Sequence, residues 1–339
     1  MRNSDHDYAR SLKIRRISGI TGIILALLII LGVGVYSARA GILPGVAKPS
    51  GPGITISGSL QVTSTCKTPQ HQAGNSMLSI HSAGLTRTFL LHLAPSYGFQ
   101  PQPLVINYHG YANTAQNTAQ HTNMGAEADK EGFILVFPQA VDNPPSWDAG
   151  IGGYGPTGDA DDVQFTRDLL SYLEKNYCID THRVYATGYS EGGGMAYRVA
   201  CTLSNQITAF ATVEGAFYHV PGGCNPTRPI PFLEIHGQAD TFAPYNGNPN
   251  LDMTSVQTIL NLWLSINHCQ SASKVIFQKA DVTGTEWPDC AAGTVVEHYR
   301  ISDGGHTWPG SSPIPSLGYT THTIDANVVI WNFLSQFSS

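Results

Sequence analysis

Gly188-Tyr189-Ser190-Glu191-Gly192 carries the pattern G-x-S-x-G. The stretch Arg183-Val184-Tyr185-Ala186-Thr187 precedes it and reads as a short buried strand, while 193–200 reads as the start of a helix. A serine on so sharp a strand-to-helix turn has its hydroxyl presented to the outside. The residues two places either side must be small, because a side chain there would clash. The chemistry implied is nucleophilic: a serine hydroxyl attacks an electrophilic carbonyl once a base takes its proton. A glycine-rich surface turn can carry the same five residues. The remaining chain therefore has to supply a base, an orienting carboxylate and donors for an oxyanion.

Where the nucleophile stands on such a turn, its partners follow in the order carboxylate, then histidine. The best carboxylate is Asp240, in His236-Gly237-Gln238-Ala239-Asp240. It comes just after a buried-strand run, which puts it in a loop at the carboxyl edge of a sheet. An ordinary turn aspartate is the plain alternative. Asp252 and Asp281 fall at helix or surface positions. The best base is His306, in Ser302-Asp303-Gly304-Gly305-His306-Thr307-Trp308-Pro309, on a glycine approach after the last strand. His219 comes too early, His236 lies inside a strand end, His268 and His298 lie in elements, and His322 opens the last helix. Asp303 is a poorer orienter than Asp240, being three residues away in a glycine turn. The oxyanion donors expected are the backbone N–H of Glu191, after the nucleophile, and that of Tyr111, in the loop His109-Gly110-Tyr111-Ala112. His109 is expected to shape that loop rather than to act as a base.

These residues need a scaffold. Stretches 77–81 and 87–93 alternate apolar and polar residues around Gly84 and predict a hairpin. Stretches 104–110 and 132–138 predict buried strands, with a helix between them over 114–130. Asp161 and Asp162 open a helical pattern that runs to Tyr177. The cluster Asp159-Ala160-Asp161-Asp162 reads as a helix cap rather than a Ca²⁺ loop, because the ligand spacing is absent. Strands follow at 207–214, 231–237, 274–278 and 295–301, with helices at 253–267 and 321–337. The alternation predicts an α/β fold with a mainly parallel sheet, flanked by helices and begun by an antiparallel hairpin.

The chain has 339 residues, of which 12% are charged, and a net charge of -6 without a basic stripe. That composition excludes disorder and argues against nucleic acid as a partner. Five basic residues lie in the first 16, 17–36 is uncharged, and Ala38-Arg39-Ala40 is a cleavage pattern. Residues 1–40 are thus an export signal or a retained membrane anchor, with everything after them outside the cytoplasm. Residues 41–58 read as a flexible spacer and 59–339 as one catalytic domain, expected to be a monomer. Six cysteines, an even count, suit disulfides in an oxidising compartment. They allow 15 pairings, and without a C-x-x-C they do not make a zinc site.

With elbow, His-Gly loop, Asp loop and Gly-His loop in order, residues 77–336 resemble secreted feruloyl esterases of the carbohydrate esterase type. These are relatives of acetylxylan esterases and polyhydroxybutyrate depolymerases, on the α/β-hydrolase fold. The resemblance rests on 103–110 with Tyr111, Ser146-Trp147, Asp161-Asp162-Val163 with Phe165, and Tyr177-Cys178-Ile179-Asp180. It continues through Tyr185-Ala186-Thr187-Gly188, Gly192-Gly193-Gly194, Ala200-Cys201, Ile235-His236-Gly237 with Ala239-Asp240, and 305–309. It implies the triad Ser190, Asp240 and His306, no cofactor or metal, and the pairings Cys66–Cys178, Cys201–Cys224 and Cys269–Cys290. The family's elbow often carries Asn where this chain has Glu191. The substrate implied is a feruloyl ester of plant polysaccharide. Acetylated xylan or a polyhydroxyalkanoate stays open, as does an inactive hydrolase fold serving as a binding protein. Trp147 and Trp308, and less so Tyr154 and Tyr189, are candidate walls for the acyl group or sugar.

Overall fold

The computed structural model describes residues 66, 71–98, 100–150, 160–270 and 272–339. The export signal or anchor, the spacer and Tyr154 lie outside the described residues. Among the described residues, no helix is long and apolar enough to cross a membrane.

Among the described residues, ten strands form one sheet: β1 Gly74–Ser82, β2 Leu85–Leu93, β3 Gln102–Tyr108, β4 Ile134–Pro138, β5 Ile179–Tyr189, β6 Ala209–Val213, β7 Phe232–Gly237, β8 Lys274–Lys279, β9 Val282–Trp287 and β10 Val296–Ile301. Their spatial order is β1-β2-β4-β3-β5-β6-β7-β10-β9-β8. The run from β4 to β10 is parallel, and the hairpins β1–β2 and β8–β9 close its two edges antiparallel. The predicted fold class holds, with the leading hairpin where the alternation put it. β9 has no counterpart in the sequence reading. Its Val-Thr-Gly-Thr-Glu-Trp run is mostly polar because one face stays half-buried.

Helices α1 Ala115–Thr122, α2 Met124–Glu131 and α6 Ala326–Leu334 cover one face. On the other lie α3 Asp162–Asn176, α4 Glu191–Thr202 and α5 Val256–Ile266. The central strands are buried on both sides: Leu104, Ile106 and Tyr108 join one core, and Val105 between them joins the other. That is the period-two signature of a doubly covered sheet. The helix expected over 114–130 is two helices, because Asn123 takes a left-handed backbone (φ 50°) and ends the first. Asp161 caps α3, its carboxylate accepting the Gln164 N–H at 2.8 Å, so this member of the acidic cluster serves as the cap expected there, while Asp159 lies outside the described residues. Disulfides join Cys66 to Cys178, Cys201 to Cys224 and Cys269 to Cys290, the pairings implied by the resemblance.

Candidate active site

β5 runs through the middle of the sheet and ends in the elbow, with Ser190 at the N-terminus of α4. Its backbone is held at φ 61°, ψ -124°, a conformation that costs a non-glycine residue about 1–3 kcal/mol. The surroundings fix it: Ser190 N–H donates to Val213 O at 3.0 Å, and its own carbonyl accepts Ala216 N–H at 2.9 Å. Both elbow glycines are demanded by contact. A Cβ on Gly188 would lie 2.2 Å from Gly192 O, and one on Gly192 would lie 2.1 Å from Tyr108 O.

Asp240 stands in the loop after β7 and His306 in the loop after β10, which is paired to β7. The loops interlock: Gln238 N–H donates to Ile301 O at 2.8 Å and Ala239 N–H to Gly304 O at 2.9 Å. Asp240 Oδ1 accepts the N–H groups of Phe242 (2.7 Å) and Ala243 (2.9 Å). Its Oδ2 lies 2.6 Å from His306 Nδ1, and His306 Nε2 lies 2.8 Å from Ser190 Oγ. A carboxylate can only accept here, so Nδ1 carries the proton and Nε2 offers its lone pair to the serine hydroxyl. Burial alone would raise the Asp240 carboxyl. The positive charge of a protonated His306, with bonds from His236 and His306, overrides this and holds it well below the usual carboxylate range. The structure thus brings together all three expected residues in the order of bonds a serine nucleophile needs.

The loop carrying Gly110 and Tyr111 runs alongside the nucleophile: a Cβ on Gly110 would sit 3.2 Å from Ser190 Cβ. Three contacts brace it. Trp147 Nε1–H donates to His109 O at 2.7 Å, Ala112 N–H donates to Pro145 O at 2.7 Å, and His109 Nε2 accepts Ala140 N–H at 3.1 Å. Burial pushes His109 down to about 4, against its bond to Gly110 O, so the imidazole is neutral near pH 7 and suits the loop-shaping part expected of it.

Trp147 and Trp308 are placed differently from the sequence expectation. Both are wholly buried, so neither ring offers a face to a bound acyl group. Trp147 packs edge-on to Tyr108 and braces the His109 loop. Trp308 donates to Asn327 Oδ1 at 3.2 Å and meets Tyr189 edge-on. Tyr189 is also buried, donating its hydroxyl to His306 O. The physical reason is shared: each amphipathic ring packs inside while its polar atom finds an internal partner, loop backbone for Trp147 and Tyr189 and the Asn327 side chain of α6 for Trp308. Two aromatic rings flank His306, the buried Tyr189 at 5.0 Å and Phe242 at 5.3 Å, and of these Phe242 is half-buried. Its only sequence signal was its place two residues after Asp240.

Glu191, the residue that departs from the family's pattern, points inward rather than toward substrate. It is buried, and its Oε2 accepts the Trp147 N–H at 3.1 Å. Burial pushes its carboxyl well above the usual range. Asp162 and Asp142 push the same way, against the Trp147 bond. Glu191→Gln keeps the acceptor without a charge and is expected to change stability by no more than about 0.5 kcal/mol. Glu191→Ala strands the Trp147 N–H and is expected to cost about 1–3 kcal/mol. Thermal melts of the two variants measure this, and equal destabilisation by both would contradict the neutral-acceptor role.

Sequence reasoning also passed over a buried cluster behind Asp240, made of Glu214, Glu234 and His236. A signal was present: Glu234 and His236 are two apart on a buried strand and share one face. Glu214, His236 and Asp240 bring metal-binding atom types within 4.8 Å of one another. Those atoms are already engaged: both Glu214 oxygens accept Gly237 N–H at 3.0 Å, His236 Nε2 bonds Ala243 O at 2.8 Å, and Asp240 holds His306.

Comparison with known proteins agrees with this architecture. The family described as Esterase PHB depolymerase matches residues 87–220. A protein named "Probable feruloyl esterase C" from Aspergillus niger is 32% identical over 227 residues, covering 65% of this chain and 76% of that protein. The bifunctional acetylxylan esterase/xylanase XynS20E of Neocallimastix patriciarum is 28% identical over 250 residues. That match covers 72% of this chain, and the chain spans only 32% of the relative's length. Among solved structures, an acetyl xylan esterase from Aspergillus awamori shares the fold, with a TM-score of 0.52 at 14% identity over 68% of this chain and 94% of that one. A third of the residues shared across three quarters of a feruloyl esterase, on a hydrolase-type sheet, is a family relationship: the chain belongs to the carboxylic-ester hydrolases that unite feruloyl esterases with PHB depolymerases.

Proposed function

We infer that the protein is an exported serine esterase that releases an aromatic acid, ferulate in type, from plant cell-wall polysaccharide. One observation carries the mechanism: the unbroken line of hydrogen bonds from Asp240 through His306 to Ser190 on its strained turn. Ser190 Oγ attacks the ester carbonyl as His306 Nε2 takes its proton. The N–H groups of Glu191 and Tyr111 receive the oxyanion. Collapse expels the alcohol, which recovers the proton from His306 and leaves an acyl-serine. Water, deprotonated by the same imidazole, attacks the acyl carbon and frees the acid and Ser190.

The substrate class is supported by the feruloyl esterase relative and by Phe242, whose half-buried ring beside His306 is an apolar wall of the size an aromatic acyl group needs. Export is supported by the three disulfides and by the leader pattern of the first 40 residues. Residues 59–339 act in this reading as one monomeric catalytic domain. The test is a panel of methyl ferulate, acetylated xylan and a hydroxybutyrate oligomer. Methyl ferulate is expected to give the highest kcat/KM. Faster turnover of acetylated xylan or the oligomer would move the assignment to that ester. Labelling of Ser190 by a fluorophosphonate separates an enzyme from a hydrolase fold that only binds.

A further inference from the structure

Behind the acid of the triad lies a second imidazole. His236, on β7, is wholly buried, and both its ring nitrogens face acceptors. Nδ1 lies 2.6 Å from Glu234 Oε1. Nε2 lies 2.8 Å from the carbonyl oxygen of Ala243, with Glu214 Oε2 at 3.4 Å and Asp240 Oδ2 at 3.5 Å. A carbonyl cannot donate, so Nε2 must carry a proton. Across the 2.6 Å line a carboxylate faces Nδ1, and Thr212 donates its hydroxyl to the other oxygen of that carboxylate. With the proton of that short line on Nδ1, the ring is an imidazolium set between two glutamates and Asp240. Its two contacts also meet the triad from below. Ala243, whose carbonyl it holds, is one of the two residues whose N–H groups fix Asp240 Oδ1, while Nε2 itself faces the oxygen that holds His306.

We propose that His236, as a buried imidazolium paired with Glu234, is a positioning residue: it anchors the Asp240–Ala243 turn and shares the Asp240 charge with His306, thereby setting how low in pH the base can work. The idea rests on the triad reading above. The surroundings of the ring are accounted for on every side. From the β6 end comes Glu214, from its own strand Glu234, from the following loop Asp240 and the Tyr245 ring at 5.7 Å, and from β10 His298 and Arg300. Burial pushes His298 down to about 3, against its bond to the Glu234 carbonyl, so that neighbour adds no charge. Burial works to lower His236 too. The Glu214 charge and the bonds to Asp240 and Glu234 override it and leave the ring well above the ordinary histidine range. Burial raises Glu234 to about 7, against the bond and charge of His236.

A second cation facing Asp240 competes with the protonated base for the same carboxylate. Removing it makes protonation of the base easier, so activity is lost at a higher pH than in the wild type. Glu234→Gln isolates that effect. The amide oxygen still accepts the Thr212 hydroxyl, the amide N–H donates to Nδ1, and Nε2–H still holds Ala243, so the bonds survive while the imidazolium becomes a neutral ring.

The experiment is the pH dependence of kcat/KM on a soluble aryl ester for wild type, Glu234→Gln and His236→Gln, with Ser190→Ala as the blank. ¹⁵N spectra of the wild-type His236 ring are recorded alongside. In the free enzyme the acid limb reports the essential base. It is expected to move up by about one pH unit in both variants, with KM within about twofold of wild type. A residue that merely packs would lower the plateau and leave the limb in place. The ¹⁵N spectra are expected to show both ring nitrogens protonated from pH 5 to about 8, well past the ordinary histidine value. A Glu234→Gln limb superimposed on that of the wild type, or a wild-type ring with one nitrogen bare in that range, overturns the proposal. The spectra decide it even where a variant does not fold. Activity surviving in the Ser190→Ala blank would instead overturn the triad reading itself.

Discussion

Replacing Ser190 with alanine is expected to lower kcat on methyl ferulate by about 10⁴- to 10⁶-fold, the range that loss of a nucleophile produces in a triad whose members act as a unit. Binding should persist, because the hydroxyl makes its bond to His306 rather than to the surrounding loops. The strained turn should persist too, since Val213, Gly194 and Ala216 hold it by backbone bonds. A residual rate over water is expected from the oxyanion loop. Pre-steady-state measurement with substrate in excess over a high enzyme concentration should show a burst of released alcohol in the wild type and none in the variant. Turnover within tenfold of wild type would remove Ser190 from the mechanism.

Asp240→Asn is expected to cost about 10⁴-fold in kcat with little change in structure, for a reason of tautomers. The asparagine oxygen can still take the N–H groups of Phe242 and Ala243 that Oδ1 takes now. Its amide N–H₂ then faces His306 Nδ1, which must accept. The ring proton moves to Nε2, and the serine hydroxyl loses its acceptor. The same residue ties stability to pH. A carboxyl held below its unfolded value of about 3.9 contributes stability that is fully present above that value and is lost as pH falls toward its folded value. The wild-type melting temperature should therefore fall more steeply below about pH 4 than that of Asp240→Asn. Equal slopes would show that Asp240 carries no such linkage.

The hydrogen-bonded line Ser190, His306 and Asp240 was legible because each of its members is punctuated. Glycines two places either side of Ser190 exist for a steric reason that any reader of the chain can infer, and the structure shows the contacts that require them. Asp240 and His306 each follow a buried strand and a glycine, which marks the carboxyl edge of a sheet. The hairpin was legible through its period-two pattern and the central strands through their continuous apolar runs. β9 was not, because its half-buried Thr and Glu residues give no apolar run. The break at Asn123 was missed because 114–130 has helical composition throughout, and only a tertiary demand for a turn separates α1 from α2. The aromatics misled for a different reason. Trp308 follows His306 by two residues and Trp147 lies in a stretch that carries the family resemblance, but sequence does not say on which side of a loop a ring packs. His236 was set aside because a strand interior is a poor place for a base, and that location is what lets it stand behind the acid.

The Cys66–Cys178 disulfide has a practical consequence. Cys178 immediately precedes β5 and Ser190 follows its other end, with eleven residues between them. At about 3.3 Å per residue, the bond is moored roughly 36 Å along the strand from the nucleophile. A purification handle, a solid support or an added polysaccharide-binding module fused ahead of Cys66 is thus pinned at the pole opposite the carboxyl edge. Immobilisation through that end should leave the esterase facing outward toward an insoluble substrate, whereas attachment through the loops after β7 or β10 would bury the reacting face against the support.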